Sequence, residues 1–383
     1  MVKIAFACLA FLFFTSNSVA QAIYETYKSD RLLQSRELKI QLPRNYDRDK
    51  ETQYPLVIVL DGDYLFEPVV GNIDYQSYWN DMPECIVVGI NESEYRDMDL
   101  SYSEQSGLPI DDGAKFFEFI GMELIPYIQD KYRASKFRIA VGHDMSANFI
   151  NYYLFKDYPV FNAYIALSPD YAPDLINKLH QRLPLLQSDT FYYLATSEGD
   201  IPALKKDIET ANTSLKSISN EKFHYRYDAF ADANHYSLVG QGIPRALNAI
   251  FELYKPIDAT EYKDEMLTYT GSPMEYLLNK YENIKNFYGF EKKVIENDIR
   301  AVAAAAKKKD DIEAVKELSK YAKQEFSDSM ISAYYQGLYF EMDGNLKKAL
   351  NYYQSGLLLK ASQFINKEVL LDKIYDLKDE KDD

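Results

Sequence analysis

Residues 36–254 alternate two hydrophobic rhythms. Seven short runs, ELKIQLP, YPLVIVLDG, ECIVVGI, FRIAVG, AYIALSP, TFYYLAT and HYRYDAF, read as strands. The central ones are unbroken β-branched stretches rather than strict apolar–polar alternations, the pattern of strands covered on both faces. Between them lie amphipathic stretches such as 115–131, where Phe116, Phe119, Ile120, Leu124, Tyr127 and Ile128 recur at helical spacing. This alternation predicts an α/β fold, a doubly wound and mostly parallel sheet with helices on both sides.

After Tyr254 the strand rhythm stops. Lys255-Pro256 ends a helix, Gly271-Ser272-Pro273 breaks the next segment, and from 273 onward only helical periodicity continues. Within 333–356, Gly337, Ala349 and Gly356 alternate with Phe340 and Tyr353 at the spacing of a tetratricopeptide (TPR) helix pair, with Gly344-Asn345 as its turn. A weaker echo lies at 310–314, and a plain helical bundle is the alternative. The charged end, 376–383, is expected to fray. Four units follow: a signal peptide at 1–20, an α/β domain at 21–255, a linker and connecting helix at 256–290, and a small TPR-like helical domain at 291–383.

The signal peptide rests on Lys3, the eleven-residue apolar run IAFACLAFLFF and the small-x-small site Ser18-Val19-Ala20. That run is too short for an ordinary membrane span, and no later segment is apolar enough. The product is therefore expected to be exported, periplasmic or secreted. Cleavage would remove Cys8 and leave Cys85 alone, so no internal disulfide is expected. A net charge of −16 argues against nucleic acid and anionic membrane surfaces as partners. The 34 tyrosines serve either as ordinary half-buried residues, the commoner case, or as a sugar- or protein-binding face. No cofactor and no metal are expected.

The candidate chemistry centres on FRIAVGHDMSANFIN, residues 137–151. An apolar strand, a small-residue turn and a helix give the layout of a nucleophile elbow, with Asp144 where ester-cleaving members carry serine. Such a site also needs an oxyanion hole, a histidine base and a carboxylate that orients it. The loop after LVIV supplies Gly62 and Asp63 for the oxyanion hole, and Met145 follows the elbow. Glu198, just past FYYLATS, is the expected acid, with Asp200 the second choice. His235, in ADANHYSL, is the expected base. The order 144, 198, 235 is that of nucleophile, acid and histidine. Ser146 falls inside the helix, off the apex, and Ser168 reads as a loop residue.

On VLDGDYLF, CIVVGI, FIGMELIPYIQDKYR, IAVGHD, FNAYIALSP and NHYS, the chain resembles the esterase family of α/β-hydrolases, relatives of esterase D and of siderophore-ester hydrolases. The helical tail is similar to the TPR extension some members carry. This resemblance implies Glu198 as acid, His235 as base and the 61–63 loop as the oxyanion segment; it departs at Asp144. A carboxylate attacking an ester would give a mixed anhydride about as activated as its substrate. Carboxylate nucleophiles suit saturated carbon instead, as in haloalkane dehalogenases and epoxide hydrolases, whose elbows are similar but which also use a cap domain. The expectation is a catalytically degenerate binding or scaffold protein, a pseudoenzyme. It would take a small-molecule or acyl-ester ligand in the hydrolase pocket and a protein partner on the TPR-like helices. The alternative is an active hydrolase using Asp144, His235 and Glu198.

Overall fold

The computed structural model describes residues 22–382 apart from 45, 48 and 49, so the expected signal peptide, with Lys3 and Cys8, lies outside the described residues. Eight strands form one sheet: β1 Ile23–Ser29, β2 Gln34–Gln41, β3 Tyr54–Val59, β4 Ile86–Ile90, β5 Ala134–His143, β6 Ala163–Leu167, β7 Thr190–Gly199 and β8 Phe223–Asn234. Their order is β1-β2-β4-β3-β5-β6-β7-β8. β2 runs antiparallel to both β1 and β4; every other pairing is parallel. All seven expected strands are present. β1, which the sequence reading did not include, is an edge strand whose polar alternation IYETYKS buries little.

The continuous apolar strands divide their residues between two cores. Leu56 and Ile58 of β3 face the same side as Val88, Ala140, Tyr164 and Leu194. Val57 and Val59 face the other, with Val87, Val141, Ile165 and Ala195. The side-chain period of two gives each strand a buried residue at nearly every position. One face is covered by α1 (Gly62–Tyr78) and, after α2 (Arg96–Asp99), the other by α3 (Asp111–Glu118) and α4 (Ile125–Lys131). A π-helical turn, Phe119–Leu124, joins α3 to α4 just ahead of Pro126, which has no N–H to continue the regular ladder. Short α5 (Met145–Phe149), α6 (Leu175–Arg182), α7 (Pro202–Lys216) and α8 (Leu238–Ile250) complete the layers. No helix among the described residues is long and apolar enough to cross a membrane.

One buried ion pair ties the sheet to α2. Arg36 of β2 and Asp99 are each 1 % exposed and meet through bonds of 2.6 and 2.8 Å, with the Tyr95 ring 4.2 Å from the guanidinium. Burial pushes the Asp99 carboxyl up to about 6, against the pull of Arg36. Arg36→Met leaves that carboxyl buried without its partner, so we expect a loss of about 3–5 kcal/mol in urea denaturation. Adding Asp99→Leu should restore much of it, because the uncompensated charge is then gone.

Beyond α9 (Ala259–Glu261) the chain is helical: α10 Pro273–Tyr288, α11 Glu296–Lys308, α12 Ile312–Glu325, α13 Met330–Met342, α14 Leu346–Gly356 and α15 Lys367–Asp382. The tail expected to fray continues as α15, with Ile374 and Leu377 buried. Asp310 (φ 54°) and Gly344 (φ 77°), 34 positions apart, make the same left-handed turn. Asp311 and Asn345 follow them as caps, accepting from the Ala314 and Lys348 N–H groups. At the α13–α14 crossing a Cβ on Gly337 would lie 2.3 Å from the Tyr353 ring, so only glycine fits.

Helix α10 belongs to both the sheet body and the helical tail. Met274, Leu277 and Tyr281 enter the helical core, whereas Ile284 and Tyr288 enter the sheet-side core. Tyr288 packs edge-on to Phe137 at 5.2 Å and donates to the Ile250 carbonyl at 2.9 Å. Asp298 accepts from the Ile257 N–H and the Tyr281 hydroxyl, pinning the connection from the other side. Limited proteolysis at the exposed Thr268 and Thr270 should therefore give a nicked protein whose fragments still coelute on gel filtration. Their separation without denaturant would show that the shared core is too weak to hold them.

Candidate active site

The site residues lie at the carboxyl ends of the parallel strands, where α/β sheets open into loops. Asp144 tops β5 with φ 60° and ψ −124°, the sharp strand-to-helix conformation an elbow requires. Aspartate tolerates positive φ better than most residues. Gly142 is demanded by the turn, since a Cβ there would meet the Ser146 backbone at 2.5 Å. The Asp144 side chain is 25 % exposed.

His235 follows β8 and is buried. Its Nδ1 lies 2.9 Å from Asp200 Oδ1, so Asp200 is the carboxylate that holds the histidine. Glu198, the expected acid, does not reach it: its exposed side chain accepts from Lys205 at 2.7 Å. Glu198 is still within β7 and its side chain points to solvent, whereas Asp200 lies past the strand in a turn where its N–H bonds to the Ser197 carbonyl. Burial by itself would raise the Asp200 carboxyl. Bonds from His235, Thr196, Ser168 and the Ile201 N–H outweigh that and hold it at about 2. Ser168 is more than the expected loop residue. It adopts φ 44° and places its buried Oγ 2.8–2.9 Å from both Asp200 oxygens and 3.0 Å from His235 Nδ1.

His143 also has a defined place. Its Nε2 meets the His235 carbonyl at 2.9 Å, and a carbonyl only accepts, so Nε2 carries the proton. Nδ1 then accepts from the Tyr64 hydroxyl at 3.0 Å. Burial lowers the His143 pKa, in keeping with this neutral tautomer. The residue before the elbow thus anchors the loop that carries the histidine.

The sequence reading missed Arg96. From α2 it donates to Asp61 through Nε at 2.6 Å and Nη2 at 3.1 Å, and the same Nη2 reaches Asp144 Oδ2 at 3.4 Å. It also touches the His143 carbonyl and the Met145 sulfur. Asp61 is buried at φ 52° and accepts from the Ser146 hydroxyl at 2.6 Å, which occupies Ser146 structurally. No motif signals Arg96; only the folding of the loop after β4 onto the elbow brings it there.

The 61–63 loop is held by Glu92 and Asp63. Glu92 is fully buried and accepts from the Asp61 N–H at 2.6 Å; burial pushes its carboxyl well up. Asp63 accepts from the Glu92 and Ser93 N–H groups. Gly62 permits the close approach, since a Cβ would meet the Ile90 backbone at 2.7 Å. The N–H groups of Gly62, Asp63 and Met145 open helices α1 and α5, where first-turn donors have no intrahelical acceptor. Burial, with Asp144 nearby, raises the Asp170 carboxyl. The surroundings of the elbow are therefore rich in carboxylates, with Arg96 the cation in contact.

Sheet order, strand-end elbow and carboxylate-held histidine together define an α/β-hydrolase fold. The sequence pattern of the family described as "Putative esterase" matches residues 29–234. An uncharacterised protein from Capnocytophaga ochracea is 31% identical, with a TM-score of 0.79 over 94% of this chain and 100% of its own. The chain belongs to this esterase family. An IroE-like serine hydrolase from Shewanella oneidensis shares the fold at 19% identity, TM-score 0.60, covering 80% of this chain and 100% of its own. The siderophore hydrolase EstA from Aspergillus nidulans does so at 15% identity, TM-score 0.53, covering 64% and 99%. No curated protein matches the chain.

Proposed function

We propose that this esterase-family protein is exported and has lost serine-type ester hydrolysis. It acts as a binding or scaffold protein through its hydrolase pocket and its TPR-like tail. The observation that carries this reading is a carboxylate, Asp144, at the elbow apex, paired with an arginine that Asp61 clamps. An ester carbonyl arriving there meets neither a hydroxyl nucleophile nor a charge-free oxyanion position. The 34-residue recurrence of the turns at Asp310 and Gly344 supports the TPR-like reading of the tail and a protein partner on it.

A second reading, an active hydrolase, is favoured by the intact His235–Asp200 pair. Asp144 would then attack carbon or activate water, with Asp200 rather than Glu198 orienting His235. Short-chain aryl esters, epoxides and haloalkanes separate the two. The first reading expects no turnover. Turnover that disappears in Asp144→Asn and in His235→Ala would establish the second. For export, N-terminal sequencing of the mature protein should begin near Gln21; material found outside the cytoplasm and still starting at Met1 would refute cleavage after Ala20.

A further inference from the structure

A second cleft, of about 650 Å³, opens at the junction of the sheet domain and the helical tail. Tyr78 and Trp79, at the end of α1, form one wall and are 63 % and 58 % exposed. Their rings stand at 84° with centroids 5.1 Å apart. Gln363 and Phe364, in the loop before α15, form another wall, and the segment after Lys255 lies between them. The cleft therefore exists only because the tail is docked.

The walls are held in place. Asn80 takes φ 62° and, with Asp81, closes the α1 end through N–H bonds to the Ser77 and Gln76 carbonyls. Glu296 accepts from the Ser362 hydroxyl and the Gln363 N–H, fixing the loop opposite. The Arg300 guanidinium lies 3.9 Å from the Phe364 ring. Side-chain atoms of Asn80, Asp81 and Gln363 have no hydrogen-bond partner among the described residues.

We infer that this cleft binds a neutral oligosaccharide. The Trp79 face left open in a concavity suits the apolar C–H face of a pyranose ring, while Tyr78 stands edge-on to it with the Arg44 guanidinium 5.7 Å from its centroid. Covering such rings removes a large apolar area from water. Isolated amides and a carboxylate around them suit hydroxyls, which donate and accept in many directions. Asp81, Asp258 and Glu296 line the cleft with Lys255, which Glu252 engages at 2.5 Å, and Arg300 lies on the Phe364 ring, so carboxylates outnumber cations and the field favours a neutral chain over an anionic one. The inference does not depend on the chemistry at Asp144, which is at the opposite end of α1.

Trp79 is the single tryptophan of the chain, so intrinsic fluorescence reports on this cleft directly. Full-length protein would be titrated with cellohexaose, maltohexaose, xylohexaose, mannohexaose and chitohexaose. At least one should shift the tryptophan emission saturably. By calorimetry, Trp79→Ala should weaken that sugar about tenfold or more, and Gln363→Ala by about threefold. Both residues are exposed, and unchanged thermal melts would confirm folding. Asp144→Ser should leave sugar binding as it was, which separates this site from the hydrolase pocket. No response to any of the five at millimolar concentration would overturn the inference. So would affinity that survives Trp79→Ala, or a response confined to oligogalacturonate, titrated alongside as the anionic control.

Discussion

Asp144→Ser should switch on hydrolysis of short-chain aryl esters, by about 10²-fold or more over the natural protein. Two of the parts a serine would need, the elbow backbone and a carboxylate-held histidine, are in place. The backbone at 144 already has the elbow conformation, with φ 60° and ψ −124°. Serine is smaller than aspartate, so the substitution adds no volume. His235 is buried and held by Asp200 at 2.9 Å, and its loop is anchored by His143. Arg96 keeps its two bonds to Asp61 in the variant, so the α2 loop need not move. The change supplies a hydroxyl to deprotonate and removes a negative charge from the place where an oxyanion would develop. Asp144→Ala removes the charge without supplying the hydroxyl and should gain nothing. Steady-state assays of the three proteins decide it. Equal rates in Asp144→Ser and Asp144→Ala would show that the loss of ester chemistry lies elsewhere.

In the Asp144→Ser background, Asp200→Asn should abolish the gained activity and return it to the level of the natural protein, while Glu198→Gln should change it little. A carboxylate that accepts from histidine Nδ1 fixes the tautomer and stabilises the imidazolium; an amide in its place favours the wrong tautomer. Glu198 is solvated and engaged by Lys205, so its charge is screened from the histidine. The pH dependence has a definite sign. The folded Asp200 carboxyl, at about 2, lies below the ordinary value of about 3.9. Its contribution to stability is therefore fully present above about pH 4 and is lost as pH falls toward 2. The acid limb of a pH–rate profile at higher pH would then belong to another group. Comparable losses from Glu198→Gln and Asp200→Asn would contradict the geometry of the pair.

The α/β architecture, seven of the strands, the elbow layout and the helical tail were all legible in the chain. They rest on local chemistry. A strand covered on both faces must be apolar at nearly every position, and β3, β4 and β6 have no other way to be buried. Gly142 must be glycine because the turn leaves no room for a Cβ. Strand β1 was hidden for the converse reason, since an edge strand with polar alternation carries little hydrophobic signal.

What the sequence left open was which side chains converge across the loops. Glu198 and Asp200 are two positions apart and equally acidic. The end of β7 between them decides that one faces Lys205 and the other faces His235. Arg96 sits 48 positions from Asp144, at the start of short α2 with no motif around it, and reaches it only because β4 and β5 flank β3 in the sheet. The sharing of α10 between two cores likewise follows from the docking of the tail, because both its ends are apolar and neither end names its partner. Periodicity and steric necessity are written locally, so the sequence alone determined the elements and the elbow. Contacts between distant strand ends depend on sheet order and loop path, so only the tertiary structure decided which acid, which arginine and which helix end complete the site and its support.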